Sequence, residues 1–275
     1  MSEEYGVRKV CGVFKITAQG YYKRRIKRLE TEKEEHHVIE LVQKTRRLHV
    51  RMGGKKLYAL HRQEIHRIAP AIGRDKFFKI LKRHSQLIIR RRKYARTTQS
   101  NHRFRKYENL SKGFSVCKAH QLWVGDITYI RTKQGFIYLS LLTDGYSRKI
   151  IGWDLSKSLA VEGAMRAAKM ALKQYRGSNV IHHTDRGFQY CSPTYVEQME
   201  KRGVKMSMGE AGNCYDNAMA ERVNGILKQE YSLDATFDNY EIAKSIVKEG
   251  VKLYNEQRPH WALKLKTPAY VHALH

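Results

Sequence analysis

The chain has 275 residues, and its 53 Lys and Arg against 26 Asp and Glu leave a formal charge of +27, self-repulsion that calls for a polyanionic partner, with nucleic acid the first candidate. A hydrophobic content of 41% with 10% aromatics excludes a disordered chain and fits one sizeable core plus a smaller module. No run approaches the roughly 18 to 20 apolar residues of a membrane span, and the start MSEEYGVRKV is no secretory leader, so the chain is expected to be soluble and intracellular.

The charge sits at the front. Residues 1–120 hold 32 Lys and Arg against 10 Asp and Glu, and residues 121–275 hold 21 against 16. This asymmetry places a boundary near residue 118. Three parts are expected: a basic helical domain over 1–89, a basic linker over 90–118 and a catalytic core with a helical tail over 119–275. In the front, Val38, Leu41, Val42, Thr45 and Leu48 recur at helical spacing. Further helices are expected over 55–67, with Leu57, Leu60 and Ile65 inward, and over 74–84, with Phe77, Phe78 and Leu81 inward. Pro70 and Gly73 mark the turn between them. Two such helices fit a helix-turn-helix entering the major groove, and fit a plain bundle with a basic exterior equally well. The linker opens with Arg90, Arg91, Arg92, Lys93 and Arg96, a run suited to tracking phosphates. Cys11, Cys117, Cys191 and Cys214 lie far apart without a C-x-x-C pair, so neither a zinc ribbon nor a disulfide framework is signalled; reduced, buried thiols are expected. His36, His37, His61 and His66 read as solvated.

The rear alternates strand and helix. Strands are expected over 122–130, 136–142 and 149–155, separated by Lys133-Gln134-Gly135 and Asp144-Gly145, as an antiparallel meander. A helix over 160–175, a strand over 179–184, a helix over 193–201, a strand over 204–207 and a helix over 216–230 follow. Three strands and then alternating helices and strands give the α/β order of a ribonuclease H-like mixed sheet covered by helices.

Three carboxylates stand out in this frame. Asp126 lies inside the first strand, where an isolated carboxylate is costly unless it is paired or bound to metal. Asp185 ends the fourth strand, at the carboxyl edge where ligand sites form. Glu221 shares a polar helix stripe with Asn217, Asn224 and Lys228. Any one of these is commonly a solvated or hydrogen-bonded residue; the set decides. Two-metal phosphoryl transfer needs carboxylate oxygens around hard cations about 3.5 to 4 Å apart. No phosphate-binding Gly loop and no G-x-S-x-G elbow offers a metal-free alternative.

The strings Trp123-x-x-Asp126-Ile127-Thr128-Tyr129, Leu142-Thr143-Asp144-x-Tyr146-Ser147-Arg148, His183-Thr184-Asp185-Arg186-Gly187-x-Gln189-Tyr190, Gly212-Asn213-Cys214-Tyr215-Asp216-Asn217-Ala218-x-Ala220-Glu221, Tyr254-Asn255-x-x-Arg258-Pro259-His260-x-x-Leu263 and Thr267-Pro268 together resemble the integrase core of IS3-family transposases, the product of their second reading frame. The 35 residues between Asp185 and Glu221 match the spacing of this DDE group and of retroviral integrases. The front resembles the family more loosely, with Gly53-Gly54-Lys55-Lys56-Leu57 where a helix-turn-helix motif opens.

The resemblance implies a bacterial, cytoplasmic, DNA-associated transposase. Asp126, Asp185 and Glu221 would bind Mg²⁺ or Mn²⁺, two ions, with no nucleotide cofactor. Water would cut at the element's end and the freed 3′-hydroxyl would attack another phosphodiester, by way of a circular DNA intermediate. Asn217, Asn224, Lys228, Arg148 and Arg258, with Arg90, Arg91 and Arg92, are the expected DNA contacts. The resemblance also implies a homo-oligomer on DNA, partnered by the upstream reading-frame product or by a frameshift fusion with it. Two departures stand out: the acidic Glu210 in Gly209-Glu210-Ala211, and a start without the upstream helix-turn-helix and coiled coil. A DNA-binding derivative without cleavage, and a nuclease acting on hybrids or branched DNA, are the rival readings.

Overall fold

The computed structural model describes residues 6–88, 103–175, 177, 179–209 and 218–274. Arg90, Arg91, Arg92, Lys93, Arg96, Glu210, Ala211 and the Gly212-to-Asn217 stretch, with Cys214, lie outside the described residues. Contacts divide the chain into two compact units, Met1–Leu48 with Met52–Arg91, and His49–Arg51 with Arg92–His275.

The first unit is helical: α1 (Val7–Val13), α2 (Ala18–Leu48), α3 (Gly54–Ile68) and α4 (Arg74–Arg83). Val38, Leu41 and Val42 of α2 meet Leu57 and Ile65 of α3 and Phe77, Ile80 and Leu81 of α4 in one core, closed by Met52 and Ile72 from the connecting turns. Leu48 and Leu60, both expected inward, are exposed. On α3 the inward face centres on Leu57, His61 and Ile65, and 100° per residue carries Leu60 to its margin. Arg46 ties the turns down by donating to the carbonyls of Met52 and Gln86 and to Gln86 Oε1. The helix containing Val38 starts at Ala18, well ahead of its first buried residue, Glu35.

The second unit is a mixed sheet. Strands β1 (Leu122–Thr132), β2 (Gly135–Asp144) and β3 (Ile150–Ser156) form the expected antiparallel meander, with Asp126 opposite Leu141. Helix α5 (Val161–Gln174) crosses to β4 (Ile181–Thr184), parallel to β1, and α6 (Phe188–Cys191) with α7 (Pro193–Glu200) leads to β5 (Lys205–Met208), parallel to β4. The order β3-β2-β1-β4-β5 is the ribonuclease H-like arrangement expected from the sequence, and it makes β1 the central strand. Helix α8 (Ala218–Glu230), a short β6 (Thr236–Phe237) on β1, α9 (Tyr240–Glu256), a 3₁₀ turn (Trp261–Leu263) and α10 (Pro268–Ala273) complete the chain. One apolar layer packs α5 and α7 around Trp123, Leu142 and Ile151; the other packs α8 and α9 around Ile130, Leu139 and Leu155. Part of the expected linker belongs to this unit: Tyr107 packs on the core, the Leu110 N–H donates to Ser207 Oγ at 2.9 Å, and Met208 N–H donates to the Glu108 carbonyl at 3.4 Å. Cys11 and Cys191 are buried as expected, whereas Cys117 is exposed.

Helix α5 sits close against the sheet because its facing residues are Ala164, Ala167, Ala168 and Ala171, all buried. On β3 the facing residue is Gly152, where a Cβ would stand 2.1 Å from the Ala167 carbonyl oxygen. Gly152→Ala is expected to cost about 1–3 kcal/mol or more through overpacking against a backbone atom that cannot yield. Gly225→Ala, on α8 with open space at its Cβ position, is expected to gain up to about 1 kcal/mol of helix propensity. Chemical denaturation of both variants checks the pair; equal effects would contradict the packing account.

Candidate active site on the central strand

Asp126 and Asp185 are brought together by strand register. Val124 on β1 pairs with His183 on β4 in parallel, so two residues further on Asp126, inside β1, comes level with Asp185, just past the end of β4. Gly125 leaves room for the β4 side chains beside it: a Cβ there would lie 2.8 Å from His182 Cε1 and 3.0 Å from Thr184 Cγ2. His182 and His183 point into the interior, His182 Nε2 meeting Tyr195 Oη and His183 Nδ1 meeting Ser207 Oγ, both at 2.8 Å. Burial pushes His182 down to about 3, which keeps it neutral and structural.

The half-buried Asp126 carboxylate accepts from its neighbour's Ile127 N–H at 2.9 Å through Oδ1 and from Asn224 Nδ2 at 2.6 Å through Oδ2. Its pKa nevertheless rises to about 7: burial is the larger cause, the negative charge of Asp185 the next and that of Glu221 a smaller one, and the two donated bonds offset only part. Asp185 Oδ1 accepts from the Gly187 N–H at 3.0 Å, in a tight turn after β4. The Lys228 ammonium is lowered by burial, and the charge of Asp126 works against that. Asp185 thus lies near enough for its charge to raise Asp126, in a corner that desolvates the Asp126 carboxylate.

Glu221 stands apart from them in one respect. It is exposed in the first turn of α8 and lines a groove of about 300 Å³ with Arg222, Gly225 and Gln229, which neither Asp126 nor Asp185 lines. Its charge is felt at Asp126. Among the described residues, no three acidic, histidine or cysteine side chains stand close enough to hold one metal ion. The donor chemistry of Asp126 and Asp185 suits a hard divalent cation, since both offer carboxylate oxygens; Glu221 joins them only by turning from the groove.

The expected DNA contacts divide sharply. Lys228 remains beside Asp126. Asn224 is buried, and its amide is spent on Asp126, with its Oδ1 accepting no bond among the described residues. Arg258 is 2% exposed and forks onto both carboxylate oxygens of Glu230 at 2.7 and 2.8 Å, so it is a buried structural ion pair and not a DNA contact. Arg148 adopts a left-handed backbone (φ 63°) and lays its guanidinium against Met219 in the first turn of α8. Asn217, Arg90, Arg91 and Arg92 lie outside the described residues.

Sequence reasoning missed what the C-terminal motif does. Tyr254 Oη donates to the Arg148 carbonyl at 3.0 Å, and Asn255 brackets Ile150, accepting from its N–H and donating to its carbonyl, both at 2.9 Å. The motif therefore clamps the β2–β3 turn. The turn's own Asp144 is fully buried and accepts from the N–H groups of His120, Tyr146 and Ser147 and from Ser147 Oγ. The signal was present in Asp144-Gly145-Tyr146-Ser147, whose Asp and Ser are turn-capping types.

The shifted Asp126 has a consequence for stability. In metal-free protein the folded state keeps this proton up to about pH 7, while the unfolded chain releases it near 3.8. The folded state therefore binds more protons across that window, and its stability falls as pH rises through it. Thermal melts in chelator from pH 4 to 8 should show Asp126→Asn gaining on the parent as pH rises; parallel curves would contradict the shift.

Residues 117–214 and 202–268 each match a family model described as Integrase core domain. A 31 kDa protein of insertion element IS600 from Shigella sonnei is 32% identical over 94% of this chain and 96% of its own length. The transposase InsF for insertion sequence IS3A of Escherichia coli (strain K12) is 38% identical over 62% of this chain and 60% of its own, so that match spans under two thirds of that relative. Among solved structures, the simian T-cell lymphotropic virus intasome in complex with PP2A regulatory subunit B56 gamma aligns at 19% identity and TM-score 0.50, covering 81% of this chain and 71% of that one, a likeness of fold. With an integrase core over its rear half and a relative matched almost end to end, the chain belongs to the IS3 family of insertion-sequence transposases.

Proposed function

We propose that this chain is a DDE transposase that cleaves DNA at the ends of its insertion sequence and joins them to new sites, with Asp126, Asp185 and Glu221 as its catalytic carboxylates. The observation that carries the reading is the Asp126–Asp185 pair: Asp126 inside β1 and Asp185 just past the end of the adjacent parallel strand β4, the first raised to about 7 by burial and by the other's charge. Stability alone gives no reason to set a second negative charge beside a buried carboxylate; a site that receives cations does.

Divalent cations held there, Mg²⁺ or Mn²⁺ and two in number, would supply the charge that activates the attacking oxygen and stabilises the leaving one. The chain's own residues do the rest. Asn224 fixes the Asp126 carboxylate through its Oδ2, and the Ile127 N–H holds its Oδ1. Glu221, at the exposed start of α8, turns from its groove to complete the set. Lys228, two turns further along the helix and half-buried beside Asp126, holds a DNA phosphate near the corner. The basic first 120 residues supply sequence-independent affinity for DNA. Pairing two DNA ends asks for at least two copies, with the upstream reading-frame product or a fusion with it as a further partner. The protein acts in the bacterial cytoplasm, and no described helix is long and apolar enough to cross a membrane.

A DNA-binding derivative without cleavage is the second reading, favoured by the outward position of Glu221. Labelled DNA carrying the element's ends, incubated with purified protein and Mg²⁺, separates the two: the transposase gives cut and joined products, the binder only a mobility shift. Asp126→Asn, Asp185→Asn and Glu221→Gln are each expected to reduce cleavage by several orders of magnitude while leaving DNA affinity within a few-fold. Full cleavage by any one of them would remove that residue from the site. Affinity should fall steeply between 50 and 200 mM salt, on the order of 10³-fold or more if six or more phosphates are neutralised; a flat profile would contradict the charge argument.

A further inference from the structure

The first half of α2 carries an apolar face that the described residues leave exposed. Tyr22, Ile26 and Leu29 are 48%, 58% and 50% exposed. With Lys33 they fall within about 60° of arc at 100° per residue, spaced four, three and four apart, the pattern of a coiled-coil seam. Helix burial begins in earnest only at Glu35, so this stretch is an arm bearing its own apolar stripe. The charges beside the stripe are sorted along it: Lys23, Arg24, Arg25, Lys27 and Arg28 come first, Glu30, Glu32 and Glu34 afterwards.

We propose that the arm pairs with the same arm of a second copy, antiparallel. In that arrangement Ile26 meets Leu29 of the second copy, and Tyr22 meets Lys33, whose stem and ammonium suit a tyrosine ring. Lys23 then faces Glu30 and Arg25 faces Glu32, each twice by symmetry, so that four opposite-charge pairs flank the seam. A parallel pairing sets Lys33 against its own copy and keeps only the Arg25 to Glu30 pairs. The sorted charges therefore select both the partner, a second copy, and its direction. Arg28 now holds Glu32 at 2.8 Å, an exposed pair of one turn that exchanges at little cost. Two heptads bury far less than the roughly 1,000 Å² of a free-standing interface, so the pairing is weak alone and strengthens when DNA gathers copies. It rests on the helix surface and not on the cleavage reading.

Disulfide trapping of the full chain tests it, with the parent and its natural cysteines as the blank. Ile26→Cys mixed with Leu29→Cys should give several-fold more dimer than either alone. Charge exchange supplies a second readout by sedimentation at protein concentrations high enough to populate a weak pairing: Lys23→Glu/Arg25→Glu and Glu30→Lys/Glu32→Lys chains should each remain monomeric and should associate when mixed. Trapping no greater than the blank, or strongest for Ile26→Cys alone, overturns the proposal, as does a mixture of the charge variants that stays monomeric. The substituted residues are exposed, and circular dichroism of each variant is expected to match the parent.

Discussion

A carboxylate on the central strand of a buried sheet is the constraint around which this core is arranged. Asp126 has to be solvated by the protein, and the groups that do so come from elements far apart in sequence. Its strand neighbour β4 brings Asp185 alongside, and Gly125 leaves room for the β4 side chains. Its hydrogen bond from Asn224 fixes α8 to the sheet, and α8 carries Glu221 one turn earlier and Lys228 one turn later. The same helix buries Val223, Ile226 and Leu227 in the second apolar layer, so its placement serves the core and the site at once.

The C-terminal segment supports that arrangement from behind. Tyr254 and Asn255 hold the β2–β3 turn, Arg258 locks α9's end to Glu230 at the end of α8, and Ser147 Oγ meets His272 Nδ1 of α10 at 2.9 Å. Burial above all depresses His272 to about 4, with Lys149 and His120 adding to the effect against the pull of Asp144. These contacts explain why residues that read as a signature of the family do no chemistry of their own. They set the turn from which Arg148 reaches Met219 and thereby the first turn of α8, where Glu221 sits.

The strand alternation, the turn residues and the ribonuclease H-like order were legible because each strand is bounded by Gly, Asp or a charged turn and because β1 lies between antiparallel and parallel partners, as the order of elements demands. Asp126 and Asp185 were legible from their places on strands. The polar stripe of α8 was legible, but the direction it faces was not: Asn224 and Lys228 share it, yet one is spent on Asp126 and the other is only half-buried, a distinction set by packing. Arg258 was read as a DNA contact for a related reason, since an exposed cation and a buried ion pair leave the same trace in sequence when the partner, Glu230, lies 28 residues away. The early start of α2 escaped because its first buried residue is Glu35 and the stripe ahead of it is exposed.

What joins these parts is a site prepared for positive charge. Asp126 accepts from the Asn224 amide with Asp185 and the partly buried Lys228 near it, and Glu221 stands exposed in its own groove. Anomalous diffraction from crystals equilibrated with Mn²⁺ tests that claim most directly. The account predicts manganese between Asp126 and Asp185 with the Glu221 carboxylate drawn in to coordinate. Manganese bound elsewhere, or a Glu221 that stays in its groove while the corner takes no ion, would contradict it.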